Sequence, residues 1–192
     1  MRGANGPKRG FGREDAFVRL AYADPPYPGQ SAKHYADHPD YAGEVDYAQL
    51  LDRLATYDGW VLHTSSTALR DVLPLCPPEA RAMAWVKPFC AFKRNVSVAY
   101  AWEPVIVRAA RKPVVSGRLL MRDYVSEPIT MKRGLVGAKP EAVCRWAFEV
   151  MGAEPTDQLD DLFPGSGAVG RAWREWSGRE PEELFEQSAL AI

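Results

Sequence analysis

Apolar residues along the chain recur with two different spacings. Short, nearly continuous apolar runs predict buried strands, and they cover residues 16–23, 59–64, 81–86, 96–107 and 158–163. Apolar positions three and four residues apart predict amphipathic helices, and they cover residues 46–54, 66–75, 141–151 and a last segment that ends at Gly178. Strands that alternate with helices predict an α/β protein, a three-layer sandwich with a mostly parallel sheet covered on both faces.

Three segments fit this alternation less well. Glu103-Pro104 interrupts the run at 96–107, which therefore predicts either one strand or two. Residues 114–137 follow neither spacing and predict a long loop. His34 and His38 are four residues apart beside acidic residues, but their segment also has the character of a loop, so we expect no metal site there.

The remaining composition bounds the domain organisation. Residues 1–15 are rich in glycine and arginine and have no apolar period, so we expect a flexible basic arm. Residues 16–192 suffice for one core and predict a single domain with a small insertion at about 111–138. Because there is no signal peptide and no run near the roughly 18 apolar residues of a membrane helix, we expect a cytoplasmic protein without a membrane partner.

A net charge of −1 conceals an uneven distribution of charge. Residues 87–133 carry ten Lys/Arg and three Asp/Glu, whereas residues 141–192 carry four and eleven. A basic segment predicts contacts with nucleic-acid phosphates, although a solvated surface is the alternative. The candidates for phosphate contacts are Lys87, Lys93, Arg94, Arg111 and Lys112.

Asp24-Pro25-Pro26-Tyr27 follows the first predicted strand, where parallel sheets bind ligands. An exocyclic amine of a base is a weak nucleophile because its lone pair is delocalised into the ring, so a catalyst must hold its hydrogens. The Asp24 carboxylate and the Pro25 carbonyl can each accept one N–H. The Tyr27 ring can stack on a base that has left its duplex. A plain Asp-Pro turn is the alternative.

A second motif, Asp161-Leu162-Phe163-Pro164-Gly165-Ser166-Gly167, joins the last predicted strand to the last helix. Glycines let the backbone approach a ligand, a helix N-terminus favours a carboxylate such as that of an amino acid, and Phe163 offers an apolar wall. A glycine pair after a strand is weak evidence alone. Two such motifs at strand ends of one α/β chain reinforce each other.

Together these motifs resemble those of the DNA amino-methyltransferases that use S-adenosylmethionine (SAM), which combine D/N/S-P-P-Y/F/W with F-x-G-x-G. With the catalytic motif first, the order resembles the beta class of that family. The resemblance spans residues 16–176 and includes Trp85-Val86-Lys87-Pro88, residues 102–107 and Lys139-Pro140. It implies a Rossmann-like methyltransferase fold with SAM as the cofactor.

The resemblance also implies roles for individual residues. The target amine would be held by Asp24, Pro25, Pro26 and Tyr27. SAM would contact Asp24, Lys139, Pro140, Asp161, Leu162, Phe163, Gly165, Ser166 and Gly167. An Asp at position 24 favours adenine N6 in DNA as the target. Cytosine N4, RNA adenine, and a catalytically inactive nucleic-acid-binding partner with the same fold are the alternatives.

One feature departs from that family. The acid that binds the cofactor ribose, expected at the end of a further strand, is not evident after Gly167, so we expect a sheet reduced at its cofactor side. The strand at 158–163 would then be an edge strand, and nearby tryptophans would favour a homodimer across it. The tryptophans are Trp146, Trp173 and Trp176. A monomer whose segment 182–192 covers the edge is the alternative.

Overall fold

The computed structural model describes residues 17–27, 44–90, 96–113, 120–130 and 138–178. Some residues singled out above lie outside this described part: the arm at 1–15, His34, His38, Lys93, Arg94 and the segment 182–192. Within these ranges, no helix is both long enough and apolar enough to cross a membrane.

The described residues form six strands and four helices, which alternate except where the third, fourth and fifth strands follow one another. They are β1 (Arg19–Ala23), α1 (Tyr47–Leu54), β2 (Gly59–His63), α2 (Leu69–Val72, with a 3₁₀ turn at Leu73–Leu75), β3 (Arg81–Val86), β4 (Trp102–Arg108), β5 (Tyr124–Ser126), α3 (Glu141–Met151), β6 (Gln158–Asp161) and α4 (Ala168–Ser177). The sheet order is β5-β3-β4-β2-β1-β6. β4 is antiparallel to both its neighbours, and the other strands run in one direction. The predicted mostly parallel sheet is confirmed.

The central strands are apolar on both faces because each face is covered by a pair of helices. Leu20 and Tyr22 of β1 belong to a core formed with α3 and α4, whereas Ala21 and Ala23 belong to a core formed with α1 and α2. Successive side chains on a strand point to opposite faces, so a strand that is apolar throughout indicates a sheet between two helical layers. The predicted three-layer arrangement is confirmed.

One prediction about strands was wrong, and the structure decides another that the sequence had left open. The predicted loop at 114–137 contains β5, which pairs with β3; a strand of three residues is too short to show an alternating pattern. β4 also continues through Pro104, whose C=O accepts a hydrogen bond from the Thr64 N–H beyond the end of β2. The N–H and C=O of one strand residue point towards the same neighbouring strand. The N–H that Pro104 lacks would therefore face the residues just after β2, where the ladder of hydrogen bonds between the two strands has ended.

The tryptophans near the last strand are packed inside the chain. Trp146 and Trp173 are 8% and 3% exposed. The Phe148 ring lies 5.0 Å from the Trp173 ring and 5.7 Å from the Trp176 ring, centroid to centroid. Among the described residues β6 is the edge strand, as expected for a reduced sheet. The aromatic surface on which the homodimer prediction rested is therefore core, and that reason for a homodimer is removed.

Candidate active site

The reactive side chains lie along the side of the sheet where most of the strands have their carboxyl ends. We call this side the carboxyl edge; it runs across the strand ends and is distinct from the edge strands. β1, β2, β3 and β6 end at this edge, whereas β4 runs the other way and starts there. Asp24 follows β1, His63 ends β2, and Glu103 lies near the start of β4. Side chains that are far apart in the sequence therefore meet where parallel sheets bind their ligands.

Asp24 forms an ion pair with Lys139. The Lys139 Nζ lies 3.0 Å from Asp24 Oδ1, and the two side chains are 7% and 23% exposed. Asp24 directly follows β1, and the ring of the buried Pro25 restricts the backbone after it. Lys139 directly precedes Pro140, which caps the start of α3. Asp24 is thus the more accessible member of the pair.

Glu103 joins two lysines and a histidine. Its Oε1 lies 2.7 Å from Lys139 Nζ and 2.7 Å from His63 Nδ1, and its Oε2 lies 2.8 Å from Lys87 Nζ. Burial alone would raise the pKa of Glu103, but Lys139, His63 and Lys87 outweigh burial and hold that pKa well below its ordinary value. Burial would likewise lower the pKa of Lys139, but Asp24 and Glu103 raise it above its ordinary value. Glu103 and Lys139 are therefore both charged at neutral pH.

The network ends in the core at Tyr22. The Tyr22 hydroxyl lies 2.7 Å from His63 Nε2, and both residues are fully buried. An ionised carboxylate only accepts hydrogen bonds, so His63 donates from Nδ1 to Glu103, and its Nε2 pairs with the Tyr22 hydroxyl. Burial raises the pKa of Tyr22 well above its ordinary value, and nearby acidic groups add to this effect. The Tyr22 hydroxyl therefore keeps its proton.

The charges within this cluster balance. Two carboxylates, Asp24 and Glu103, face two ammonium groups, Lys87 and Lys139. Asp24, Glu103 and His63 also offer atoms of metal-ligand type within 4.8 Å of one another. The Lys139 ammonium, however, contacts both carboxylates and would repel a cation held between them. The protein thus neutralises these carboxylates with its own lysines.

Two aromatic rings border the charged cluster. The Nζ atoms of Lys87 and Lys139 lie 4.4 and 5.2 Å from the centroid of the Trp85 ring, within the range of cation–π attraction. Tyr27, which ends the predicted catalytic motif, is half-buried. Burial, together with the nearby Glu103 carboxylate, raises the pKa of Tyr27 well above its ordinary value. Tyr27 therefore lies beside the cluster as a neutral phenol.

Asp161 ends β6, beside β1, and its partner in the ladder is Tyr22. Asp161 Oδ1 accepts a hydrogen bond from the Phe163 N–H at 3.3 Å, whereas its buried Oδ2 has no hydrogen-bond partner among the described residues. Burial raises the pKa of Asp161 to about 6. A buried oxygen without a partner costs folding free energy, so Oδ2 marks a place that suits an additional donor.

The glycine motif forms a tight turn between β6 and α4. Gly165 and Gly167 have φ angles of 41° and 69°, in the left-handed region that favours glycine. The Gly167 N–H donates to the Pro164 C=O at 2.6 Å and closes the turn. A cleft of about 360 Å³ lies between the starts of α3 and α4, lined by residues that include Lys139, Pro140, Ala168 and Arg171. The cleft thus lies between the Lys139-Pro140 segment and the first turns of α4, the helix that follows the glycine motif.

Further unpaired polar groups lie on the α1 side of Asp24. The hydroxyls of Tyr47 and Thr64 are buried and neighbour each other, but neither makes a well-formed hydrogen bond among the described residues. Burial raises the pKa of Tyr47, and the Asp24 charge contributes to that shift. Tyr47 also lines a cleft of about 560 Å³ between the starts of α1 and α2. Hydrogen-bonding groups thus flank Asp24 on this side as well.

The predicted phosphate-contact residues are separated by the fold. Lys87 lies at the carboxyl edge, but its side chain is 15% exposed and bound in the cluster. Arg111 and Lys112 follow β4 at the opposite edge. There Arg111 Nη2 lies 2.9 Å from Asp157 Oδ1, and its Nη1 lies 2.9 Å from the Gly152 C=O, whereas Lys112 is exposed. These two residues are not brought to the candidate site.

Three members of the cluster are absent from the residues predicted as a site: Tyr22, His63 and Glu103. The sequence does place each of them on a predicted strand. The resemblance implies a SAM contact for Lys139, whereas the structure shows its ammonium against Asp24 and Glu103. Strand position was the available signal, but it does not indicate which residues pair.

Comparisons with known proteins bear on the fold. No protein-family model and no curated protein matches the chain. The structure is similar to the crystal structure of the M1.HpyAVI–SAM complex, with a TM-score of 0.56 and 15% identity over 83% of this chain and 78% of that chain. It is also similar to the crystal structure of M1.HpyAVI, with a TM-score of 0.51 and 16% identity over 84% of this chain and 77% of that chain. The chain therefore has the Rossmann-like methyltransferase fold, as predicted.

Proposed function

We propose that this protein is a SAM-dependent methyltransferase that acts on the exocyclic amine of a DNA base, with adenine N6 as the favoured target. One observation carries the proposal. Asp24 follows β1 and Asp161 ends the adjacent strand β6, and the register of the two strands pairs Tyr22 with Asp161. A carboxylate that can accept a hydrogen bond from the substrate amine therefore lies beside a glycine turn that suits the amino-acid part of a cofactor.

The residues on the β6 side fit SAM. The unpaired Asp161 Oδ2 can accept a hydrogen bond from the ammonium of the methionine moiety. The start of α4 follows Gly167, and no side chain caps its N–H groups, which suits a carboxylate. When bound, SAM supplies an electrophilic methyl group. The same sulfonium cofactor is named in the neighbouring crystal structure, which supports this assignment by analogy of fold.

The residues on the β1 side fit an aromatic amine. Asp24, at 23% exposure, is open enough to accept one N–H of the amine, while the Pro25 C=O can accept the other. Holding both hydrogens turns the nitrogen lone pair away from the ring and towards a methyl donor. After transfer, the extra proton on nitrogen can leave through Asp24 to water. The unpaired Tyr47 and Thr64 hydroxyls would be available to the ring atoms beside the amine.

The charge pattern of the sequence favours DNA over other amine-bearing substrates, because the basic segment 87–133 would favour a polyanion. Cytosine N4 and RNA adenine remain alternative targets. A catalytically inactive nucleic-acid-binding partner is a further alternative, because no acid suited to the cofactor ribose follows β6 within the described residues.

The proposal is tested by calorimetric SAM binding and by transfer of labelled methyl to duplex DNA, structured RNA and protein. Asp24→Ala should lower turnover on the order of 10²-fold or more while SAM affinity changes little, because Asp24 acts on the amine. Asp52→Ala removes an exposed carboxylate on α1 and serves as the control. Near-normal turnover in Asp24→Ala would refute the catalytic assignment, and absence of SAM binding would favour the inactive partner.

A further inference from the structure

We propose that Lys139 is a positioning residue for the Asp24 carboxylate and that Glu103 anchors Lys139 in that role. The inference rests on the proposed function and adds to it. The resemblance alone would make Lys139 a contact to SAM, whereas in the structure its ammonium contacts the carboxylates of Asp24 and Glu103. Glu103, near the start of β4, has no assigned role in that resemblance.

The ammonium of Lys139 is occupied by the protein. It has three N–H donors, and it contacts Asp24 Oδ1 at 3.0 Å and Glu103 Oε1 at 2.7 Å. It also lies 5.2 Å from the centroid of the Trp85 ring. With 7% of the side chain exposed, little of it is left for a ligand, although the residue lines the cleft between α3 and α4.

This arrangement fixes the geometry of Asp24. With Oδ1 bound to Lys139, the carboxylate cannot rotate freely, and Oδ2 is the oxygen offered to the amine. A displacement of about 1 Å at a reacting group can cost on the order of 10²-fold in rate. Glu103 is 4% exposed and belongs to β4 in the middle of the sheet, so it provides a rigid anchor for the lysine.

The rest of the network stabilises this anchor and does not carry protons to water. His63 and Tyr22, which continue the chain of hydrogen bonds from Glu103, are both fully buried. A proton passed along this path would remain in the core. Lys87 holds the second oxygen of Glu103 and thereby keeps the first oxygen turned towards Lys139.

The test compares Lys139→Met, Lys139→Arg and Glu103→Gln with wild type. Lys139→Met should lower kcat on the order of 10²-fold and change the Kd for SAM by less than about 3-fold. Lys139→Arg should restore part of kcat, and Glu103→Gln should lower kcat with SAM affinity retained. Arg145→Met, which removes a half-exposed cation from α3, is the matched control.

Two results would overturn the inference: a Lys139→Met variant with unchanged kcat, or one whose loss lies in SAM affinity. Crystal structures of wild type and Lys139→Met give a readout that needs no activity, and the Asp24 carboxylate should leave its wild-type orientation in Lys139→Met. If wild type transfers no methyl but this reorientation is present, the proposed function fails and the positioning contact stands. If Lys139→Met does not fold, Lys139→Arg and Glu103→Gln carry the same comparison.

Discussion

The partly buried Asp161 carboxyl costs folding free energy, and the same carboxyl can bind a cationic ligand. Its Oδ2 is buried without a partner among the described residues, and burial raises its pKa from 3.8 to about 6. A raised carboxyl pKa means that the folded chain binds this proton more tightly than the unfolded chain does. The contribution of Asp161 to stability therefore falls as the pH rises from about 4 to about 6. A cationic ligand would offset that cost.

We predict that SAM affinity depends on the ionisation of Asp161. Above pH 6 the ionised Asp161 attracts the SAM ammonium, and below about pH 6 protonation removes this attraction. The Kd should therefore rise as the pH falls, by up to about tenfold per pH unit, and calorimetry from pH 5 to pH 8 measures it. Asp161→Asn should bind more weakly at pH 8 and show a flat profile. A flat profile in wild type would exclude this contact.

The sequence predicts the two ends of the site but not the connection between them. Asp24 and Asp161 stand beside proline and glycine motifs at strand ends, so local pattern suffices to indicate them. The cluster pairs residues 40 and 36 positions apart, His63 with Glu103 and Lys139 with Glu103. No periodicity relates such residues, because their contact depends on the strand order β4-β2-β1. The register of a sheet is needed to predict such pairs.

At the level of elements, the ends of α3 and α4 offer a matched pair of glycines. Gly152 and Gly178 cap the two helices with φ angles of 70° and 69°. A Cβ at Gly152 would lie 2.3 Å from the Arg111 C=O oxygen, whereas a Cβ at Gly178 would have nothing within 4 Å. The two positions thus share the backbone conformation and differ in steric surroundings.

Replacing each glycine with alanine should separate these two effects. Gly178→Ala should destabilise the protein by about 1 kcal/mol, the cost of a left-handed conformation for a residue with a Cβ. Gly152→Ala should cost about 1–3 kcal/mol more, because the Cβ would overlap a backbone carbonyl that must move. Urea unfolding measures both values. Equal losses would contradict the close approach of α3 to the segment after β4.

Elements were predictable where their apolar pattern was long. The apolar run of β1, the Asp46 cap of α1 and the Gly152 stop of α3 all have local signatures, and the structure contains these elements. β5 is different, because its three residues gain their place through pairing with β3 and through the Trp85 Nε1–H, which donates to the Glu127 C=O at 2.7 Å. Such a strand depends on tertiary contacts, so sequence pattern alone cannot reveal it.

For the molecule as a whole, the two edges of the sheet have different tasks. The carboxyl edge carries Asp24, Glu103 and Lys139, whereas the opposite edge carries Arg111 and its buried partner Asp157, which is 2% exposed. Arg111 ties the segment after β4 to the connection between α3 and β6. A basic segment in the sequence therefore contributes both to the candidate site and to the stability of the fold.

The last prediction distinguishes a structural Arg111 from a phosphate-binding one. Arg111→Met should destabilise the fold by about 3 kcal/mol, because it leaves the buried Asp157 carboxylate short of a partner, and lower Tm by roughly 6–12 °C. Lys112→Met, at the exposed neighbouring position, should stay within about 0.5 kcal/mol. Calorimetry measures both changes at one salt concentration.

The DNA affinity of the same two variants completes the test. A residue that contacts a phosphate flattens the slope of log affinity against log salt by about 1 when it is neutralised. Since both positions lie at the edge opposite Asp24, we expect the salt slope and the methyl-transfer rate of each folded variant to match wild type. A flattened slope in Arg111→Met, without the loss of stability, would instead extend the nucleic-acid contact across the sheet to its far edge.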